Sequence, residues 1–402
     1  MDASPAPRYD PLSPEAVADP HVFYRGLRET GTVQWHEVLG AWVVTGYEEC
    51  RRVLADTAGF GSDFRRAGED VPDAMLSIQS LDPPDHGAVR HLLVNALHVQ
   101  SPASMAAHVT DIAAAGLRTL LAERGEIDFV GRYARPVALR TMCDFLGVTA
   151  PEGAAFEATS NAVVRSMDAG LDPGRGAPGL AARRELTRLV GTWLDEAPPD
   201  GFLGAAERMR QEEGTVSRAV LENSMRGVLH SGYESVSRLM GNAMARLATT
   251  PGLLDRAEAA QALDTLVDEL VRLETPVQAD ARVCVAERVL GGHRIPRGDV
   301  VLLFLAAANR DPAVFPAPDS VGLERRRGLH LTFGRGAHAC LGAAFASMQL
   351  RAVLEACLRA GVRFEAVRPP VYEPTATLRG LSELTLTARR AEAARPQPAG
   401  TA

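Results

Sequence analysis

A glycine-rich loop at residues 333–342 surrounds one cysteine and is the segment of the chain best suited to chemistry. Glycines at 334, 336 and 342 permit a tight turn and let a flat ligand approach the backbone closely. Cys340 precedes an Ala- and Leu-rich stretch that predicts a helix, whose N-terminal N–H groups favour a thiolate. A thiolate in such a loop can serve as an axial ligand to haem iron. The alternative is a buried structural cysteine beside a turn.

An acid and an alcohol, Glu234 and Ser235, stand side by side in the middle of the longest helical pattern, residues 217–248. A helix of that length spans about 45 Å and must run through the protein interior. Polar groups and Gly232 at its centre are costly to bury. They either satisfy one another or face a cavity, where an acid next to an alcohol can deliver protons.

Two further spacings place charged side chains one helical turn apart. Glu269 and Arg272 lie at i, i+3 and can form an ion pair, which on a surface contributes only a few tenths of a kcal/mol. Residues 82–86, of sequence D-P-P-D-H, precede Arg90, so that His86 and Arg90 share a helix face. Such a pair can bind a carboxylate, although an isolated pair is more often simply solvated.

The amino-acid composition argues against several classes of protein and of site. The chain has 402 residues, 46% of them hydrophobic, and a net charge of −7, which supports a sizeable core and argues against a nucleic-acid-binding surface. All 43 basic residues are arginine, so chemistry that requires a lysine is excluded. The five cysteines are scattered and contain no C-x-x-C pair, which argues against a disulfide scaffold or a zinc site.

The elements that must position these residues are mainly helical. Helical patterns dominate residues 85–360, and short β-rich runs such as 281–287 accompany them. This order predicts a mostly α fold with small β-sheets. We expect one domain over residues 1–402, with flexible ends at 1–20 and 391–402. The start has no secretory signal and no apolar run reaches the roughly 20 residues that a membrane span needs, so we expect a cytoplasmic protein.

Taken together, the motifs resemble those of the cytochrome P-450 family of haem-thiolate monooxygenases. Residues 333–342 fit the F-G-x-G-x-H-x-C-x-G pattern of its cysteine-ligand loop, and residues 231–235 are similar to its A-G-x-[D/E]-T helix centre. Residues 82–90 resemble D-P-P-x-H-x-x-x-R, and residues 309–318 resemble N-R-D-P-x-x-F-x-x-P. The resemblance implies the single-domain fold of that family, with haem b between the long central helix and the cysteine loop.

The resemblance also implies roles for individual residues. Those that bind the haem, with Cys340 as the metal ligand, are His86, Arg90, Arg282, Phe333, Gly334, His338 and Cys340. Those that fix the cysteine loop as structural residues are Glu269, Arg272 and Arg325. The catalytic residues are Gly232, which lets the helix open beside the iron, and Glu234 and Ser235, which supply protons.

The central helix departs from the family pattern at three positions. Ser235 replaces threonine, which keeps the hydroxyl but loses the methyl group that fixes its rotamer. Ser231 replaces alanine, and His230 replaces an apolar residue. Two interpretations of His230 remain open: a hydrogen bond to Glu234 one turn later, or contact with a polar substrate.

By the same resemblance, the substrate pocket mixes apolar and polar side chains. Its candidate lining residues are Ile78, Gln79, Asn161, Val164, His230, Val277 and Gln278. This mixture favours a medium-sized, partly polar small molecule, such as an intermediate of secondary-metabolite biosynthesis, over a hydrocarbon.

The resemblance implies a monooxygenase that uses O₂ and two electrons from NAD(P)H, delivered by a ferredoxin reductase and a ferredoxin. The arginines at 325–327 either attract an acidic ferredoxin or form a solvated basic loop. We expect a monomer that binds neither nucleic acid nor membrane. One alternative is an enzyme of the same fold that couples C–C or C–N bonds without inserting oxygen. A second is a non-catalytic haem protein that recruits a carrier-bound intermediate.

Overall fold

Helices make up most of the chain in the computed structural model, which describes residues 9–123, 125–199 and 201–390. The α-helices are α1 (Pro14–Ala18), α2 (Pro20–Thr30), α3 (Tyr47–Ala55), α4 (Asp85–Leu97), α5 (Pro102–Ala122), α6 (Arg135–Leu146), α7 (Gly153–Ser166), α8 (Gly176–Glu196), α9 (Phe202–Glu213), α10 (Arg218–Ala248), α11 (Leu253–Ala259), α12 (Leu263–Leu273), α13 (Leu305–Ala308) and α14 (Ala343–Ala360). None of these described helices is both long and apolar enough to cross a bilayer.

The β-strands are short and form small sheets. They are β1 (Val33–His36), β2 (Ala41–Val44), β3 (Phe60–Gly61), β4 (Ile127–Asp128), β5 (Asp280–Cys284), β6 (Arg288–Leu290), β7 (His293–Ile295), β8 (Val300–Leu303), β9 (Val362–Ala366), β10 (Val371–Tyr372), β11 (Leu381–Glu383) and β12 (Thr385–Arg390). The largest sheet has the order β1-β2-β8-β5-β3, in which β2 and β8 are parallel. A second sheet has the order β4-β12-β9, and β6-β7 and β10-β11 form pairs. The predicted mostly helical fold with small sheets is confirmed.

The long helix α10 passes between two hydrophobic cores. It begins where the Ser217 hydroxyl accepts a hydrogen bond from the Val220 N–H. Its first half contributes to a core with α4, α6, α8 and α9 through Leu221, Met225, Leu229 and Tyr233. Its second half contributes to a core with α5, α12 and α14 through Val236, Leu239, Met240 and Ala243. The centre of α10, where the polar residues lie, is therefore held from both sides.

The N-terminal segment is ordered from Tyr9, so the expectation of a flexible end at 1–20 is wrong for residues 9–20. Tyr9 is 4% exposed and packs edge-on against Tyr24 and Phe304. The prolines that suggested a frayed tail, Pro14 and Pro20, each occupy the first position of a helix, where proline is favoured because no N–H is needed there. Residues 1–8 and the predicted flexible end 391–402 lie outside the described residues.

Candidate active site

The cysteine loop has the tight geometry that its glycines predict. Gly334 and Gly336 have φ angles of 62° and 73°, and a Cβ at Gly336 would lie 2.5 Å from the carbonyl oxygen of Leu54 in α3. The Cys340 N–H donates to the Phe333 carbonyl over 2.8 Å, which closes the loop just before α14. Cys340 is exposed, whereas the other four cysteines are buried. Its sulfur is therefore the thiol that a ligand can reach.

The peptide surroundings alone do not make Cys340 a thiolate. Although Cys340 has exposed surface, the surrounding loop partly desolvates its thiol and so raises the thiol pKa; the Gly342 N–H and the Arg90 guanidinium oppose this only in part. The expectation that the helix terminus would favour the thiolate is thus outweighed by desolvation. A coordinating metal cation removes the proton of such a thiol outright, so the loop fits a site that becomes anionic on binding iron.

The segment at residues 82–90 contacts the cysteine loop, although the two are about 250 residues apart in sequence. The rings of His86 and His338 lie 4.2 Å apart, and His338 Nε2 is 3.2 Å from an Asp82 carboxylate oxygen. The Arg90 guanidinium donates to the Ala339 carbonyl over 2.9 Å. The structure therefore brings together three of the predicted haem-binding side chains around Cys340.

A buried polar atom in this cluster lacks a partner. His86 Nε2 is buried without a hydrogen-bond partner among the described residues. Burial, with the nearby His338 and Arg90, lowers the pKa of His86 to about 4, so its ring is neutral at pH 7. Arg282 lies on β5, where it donates to an Asp280 carboxylate oxygen over 2.8 Å. Neutral imidazole N–H donors and arginines suit the carboxylates of a haem, and the exposed thiol suits its iron.

The Glu269–Arg272 pair is fully buried, unlike an ordinary surface pair. Both side chains are 1% exposed and their closest atoms are 2.7 Å apart, with Arg325 Nε 3.1 Å from the same carboxylate. Arg272 also donates to the backbone carbonyls of the segment that leads to the cysteine loop, those of Asn309, Pro318 and Ser320. The three side chains therefore hold this segment against α12.

Replacing Arg272 with leucine is expected to lower the free energy of unfolding by about 3–5 kcal/mol, because it leaves the buried Glu269 carboxylate without its main partner and three backbone carbonyls without a donor. Urea denaturation measures the change. Arg327→Leu is the matched control: Arg327 pairs with Asp264 at the surface, where both side chains are at least 50% exposed, so its loss costs about 0–1 kcal/mol. Equal effects of the two substitutions would contradict the prediction.

The centre of α10 presents hydroxyl groups to a cavity. The Ser235 hydroxyl donates to the Ser231 carbonyl over 2.6 Å, and the Ser231 hydroxyl accepts from Gln79 Nε2 over 3.0 Å. The helix α10 continues through Gly232. A Cβ at Gly232 would lie 2.5 Å from the Met142 sulfur, which shows that the glycine lets α6 approach α10.

Glu234 belongs to a chain of alternating charges that reaches the surface. One carboxylate oxygen accepts from Arg238 Nε over 3.0 Å; Arg238 also binds Glu373 at 2.7 Å, and Glu373 binds Arg135 at 2.7 Å. Arg135 pairs in turn with Glu157, and side-chain exposure rises from 4% at Glu234 to 32% at Glu157. The other Glu234 oxygen is buried without a partner among the described residues. Sequence reasoning missed Arg238, although its i+4 spacing from Glu234 was a usable signal.

His230 does not form the hydrogen bond to Glu234 that one interpretation proposed, because its ring nitrogen is turned toward α7. Its Nε2–H donates instead to the Ser160 carbonyl of α7 over 3.2 Å. Burial lowers the pKa of His230, so the ring is neutral. His230 also lines the cavity, which leaves substrate contact as the surviving interpretation.

The cavity beside Ser235 has a volume of about 410 Å³. Four of the predicted lining residues border it: Gln79, His230, Val277 and Gln278. Three do not: Ile78 and Val164 pack in or against the hydrophobic core, and Asn161 is also absent from the wall. Asn161 and Val164 lie on α7, and tertiary packing sets which face of that helix meets the cavity.

The cavity wall also contains residues that sequence reasoning missed. They are mainly aromatic or come from the late turn before β11, and they include Tyr9, Tyr24, Phe304, Ala376 and Thr377. The amide of Gln278 is fully engaged, since its oxygen accepts from the Tyr24 hydroxyl over 3.2 Å and its nitrogen donates to the Thr275 carbonyl. Gln278 therefore shapes the wall instead of offering a free polar group.

Residues 255–382 match the family model described as Cytochrome P450. Over 400 residues the chain is 31% identical to the cytochrome P450 monooxygenase PikC of Streptomyces venezuelae, covering 94% of this chain and 93% of that one. It is 29% identical to the 6-deoxyerythronolide B hydroxylase of Saccharopolyspora erythraea, covering 90% and 94%. The crystal structure of CalO2 superposes with a TM-score of 0.83 at 29% identity, covering 96% of this chain and 99% of that one.

Proposed function

Because the chain belongs to the cytochrome P450 family and is a haem b monooxygenase, we propose that it oxidises a medium-sized, partly polar small molecule. When bound, haem b lets one atom of O₂ enter a substrate C–H bond while the other leaves as water, at the cost of two electrons and two protons. The cavity carries the substrate proposal, since apolar walls and hydroxyl, imidazole and amide groups converge beside Ser235. One relative is named for hydroxylating 6-deoxyerythronolide B, and we propose a secondary-metabolite intermediate here.

Cys340 is the proposed iron ligand, and four side chains are proposed to hold the haem propionates: His86, Arg90, Arg282 and His338. The unpartnered Nε2 of His86 supports this assignment, because a carboxylate would satisfy it. His338 is already held by Asp82, which fixes the orientation of its ring. Phe333 and Gly334 shape the loop backbone around the sulfur.

Glu234 and Ser235 are the proposed proton-delivery residues. Ser235 presents its hydroxyl at the cavity wall, anchored on the Ser231 carbonyl. Arg238 fixes one oxygen of Glu234, while the other oxygen is left unpartnered to hold or release a proton. Gly232 is proposed to let the helix open beside the iron, and it also lets α6 approach α10.

We propose that electrons come from NAD(P)H through a ferredoxin reductase and a ferredoxin, to a monomer in the cytoplasm. Of the arginines at 325–327, Arg326 and Arg327 are exposed. Arg325 is bound to Glu269, so it cannot serve a partner. An acidic ferredoxin would therefore meet two of the three cations.

The substrate proposal is tested by screening the purified holoenzyme for shifts of its Soret band. The test compounds are polyketide-like and peptide-like molecules, and hydrocarbons of equal size are the controls. We expect the oxygen- or nitrogen-bearing compounds to shift the Soret band and the hydrocarbons to fail. The reverse preference would overturn the proposal. Turnover of a hit under isotopically labelled dioxygen then separates oxygen insertion from C–C or C–N coupling, since coupling leaves the product unlabelled.

Replacing Ser235 with alanine is expected to raise peroxide release and lower product per NAD(P)H by roughly 10-fold. This is less than the roughly 10²–10⁴-fold of full general acid catalysis, because water can replace the hydroxyl in part. Ser237→Ala is the control: Ser237 lies two residues further along α10, hydrogen-bonds to the Glu234 carbonyl and is buried. If coupling is unchanged in Ser235→Ala, Ser235 has no part in proton delivery.

A further inference from the structure

The cavity wall contains two chemically different groups of side chains. Polar groups cluster along α10 and are joined by the hydrogen bond between Gln79 and Ser231; they are Gln79, His230, Ser231, Glu234 and Ser235. A second group is aromatic and comes from elements distant in sequence. Both groups line the same cavity, so a ligand that fills it meets both.

The second group consists of three rings in mutual edge contact. The ring centroids of Tyr9, Tyr24 and Phe304 are 5.7 Å, 5.9 Å and 5.2 Å apart in pairs, with interplanar angles of 69–73°. Edge-to-face contacts of this kind are favourable and hold the rings in fixed orientations. The wall around them is completed by apolar side chains, Pro11, Leu39 and Leu302.

The N-terminal segment is held in this wall on both sides of Pro11. Before it, Tyr9 is buried among the rings; after it, Ser13 closes a turn by donating to the Asp10 carbonyl over 2.9 Å. The carbonyls at the end of α1, those of Val17 and Ala18, then accept the Arg379 guanidinium. Arg379 follows Leu378 of the cavity wall, so the segment and the late turn are joined directly.

From these contacts we infer that the cluster of Tyr9, Tyr24 and Phe304 is a substrate subsite for an apolar or aromatic ring. The inference rests on the proposed function and deepens it: the substrate has an apolar ring at one end and hydrogen-bonding groups toward Ser235. Tyr9, which the N-terminal segment supplies, is a specificity-determining residue. The rings are pre-oriented by one another, so binding a flat apolar group there requires little reordering.

The test uses two azoles whose ring nitrogen coordinates haem iron and shifts the Soret band: imidazole, and 4-(biphenyl-4-yl)imidazole with a long apolar tail. In the holoenzyme we expect the biphenyl azole to bind much more tightly than imidazole. Tyr9→Ala is expected to weaken binding of the biphenyl azole about 3- to 10-fold, the range for loss of an aromatic contact, and to leave the affinity for imidazole unchanged.

Two variants control for disturbance of the fold. Phe23→Ala removes a ring 5.8 Å from that of Tyr9 that does not border the cavity, and Tyr9→Phe keeps the ring; both should bind the two azoles as the parent does. Equal weakening of both azoles by Tyr9→Ala, an unchanged biphenyl affinity, or a parent enzyme that does not favour the biphenyl azole would each overturn the subsite. Failure of both azoles to shift the Soret band would instead overturn the haem site and with it the proposed function.

Discussion

Replacing Cys340 with serine is expected to abolish the thiolate-type Soret band of the reduced, carbon monoxide-treated protein and to bring monooxygenase activity below detection. Serine keeps the size of the side chain but has far too high a pKa to supply an anionic ligand, and electron donation by sulfur is what suits this iron to oxygen activation. Because Cys340 is exposed in the chain itself, its replacement should change the free energy of unfolding by only about 0.5 kcal/mol.

The control for this substitution is Cys357→Ala. Cys357 lies on α14, the helix that follows the loop, and is buried in the hydrophobic core at 2% exposure. Its replacement should cost stability but retain the thiolate-type band. If Cys340→Ser kept that band, or Cys357→Ala alone lost it, the ligand would be assigned to the wrong cysteine.

Local signals predicted the helices well where capping and proline agree with periodicity. The pattern at 217–248 corresponds to α10, Arg218–Ala248, because Ser217 caps it. The pairing of Glu269 with Arg272 followed from their spacing alone. The burial that makes the pair strong did not, because it depends on residues 309–320 folding over α12.

Errors arose where long-range packing overrides local composition. The acidic, proline-rich start suggested a flexible tail, yet Tyr9 is fixed by Phe304, a residue 295 positions away. Helix periodicity also does not say which face of α7 meets the cavity, so Val164 was placed there although it is 1% exposed in the core. The residues of the sequence motifs were easier to assign to the site, because their residue types and spacing indicate their role directly.

Long-range packing also explains why the sequence alone does not identify the partners of Glu234. Arg238 is one turn away, but it is stabilised in the interior by Glu373, 135 residues later. Its side chain also needs Gly380, where a Cβ would lie 2.5 Å from Arg238 Cγ. A buried arginine between two carboxylates is costly to desolvate unless both ion pairs form. The late turn and the central helix therefore specify the position of Glu234 together.

Replacing Arg238 with glutamine is accordingly expected to lower product formed per NAD(P)H by about 10-fold or more, with a matching rise in peroxide. Without the guanidinium, the Glu234 carboxylate loses the contact that orients it, and Glu373 no longer connects it to Arg135. Glu373→Gln is the comparison variant, because it weakens the ion pair between Arg238 and Glu373 but keeps the ion pair between Glu234 and Arg238. Its effect should be the smaller of the two.

Whether Arg238 acts through Glu234 is decided by combining substitutions. If Arg238 only positions that carboxylate, Glu234→Gln and Arg238→Gln together should impair coupling no more than Glu234→Gln alone, since residues that act as a unit are non-additive. Effects on coupling that multiply in the double variant would show that Arg238 has a separate role. Urea denaturation of all three variants separates this from stability, because a merely structural arginine would change the free energy of unfolding and leave the ratio of peroxide to product unchanged.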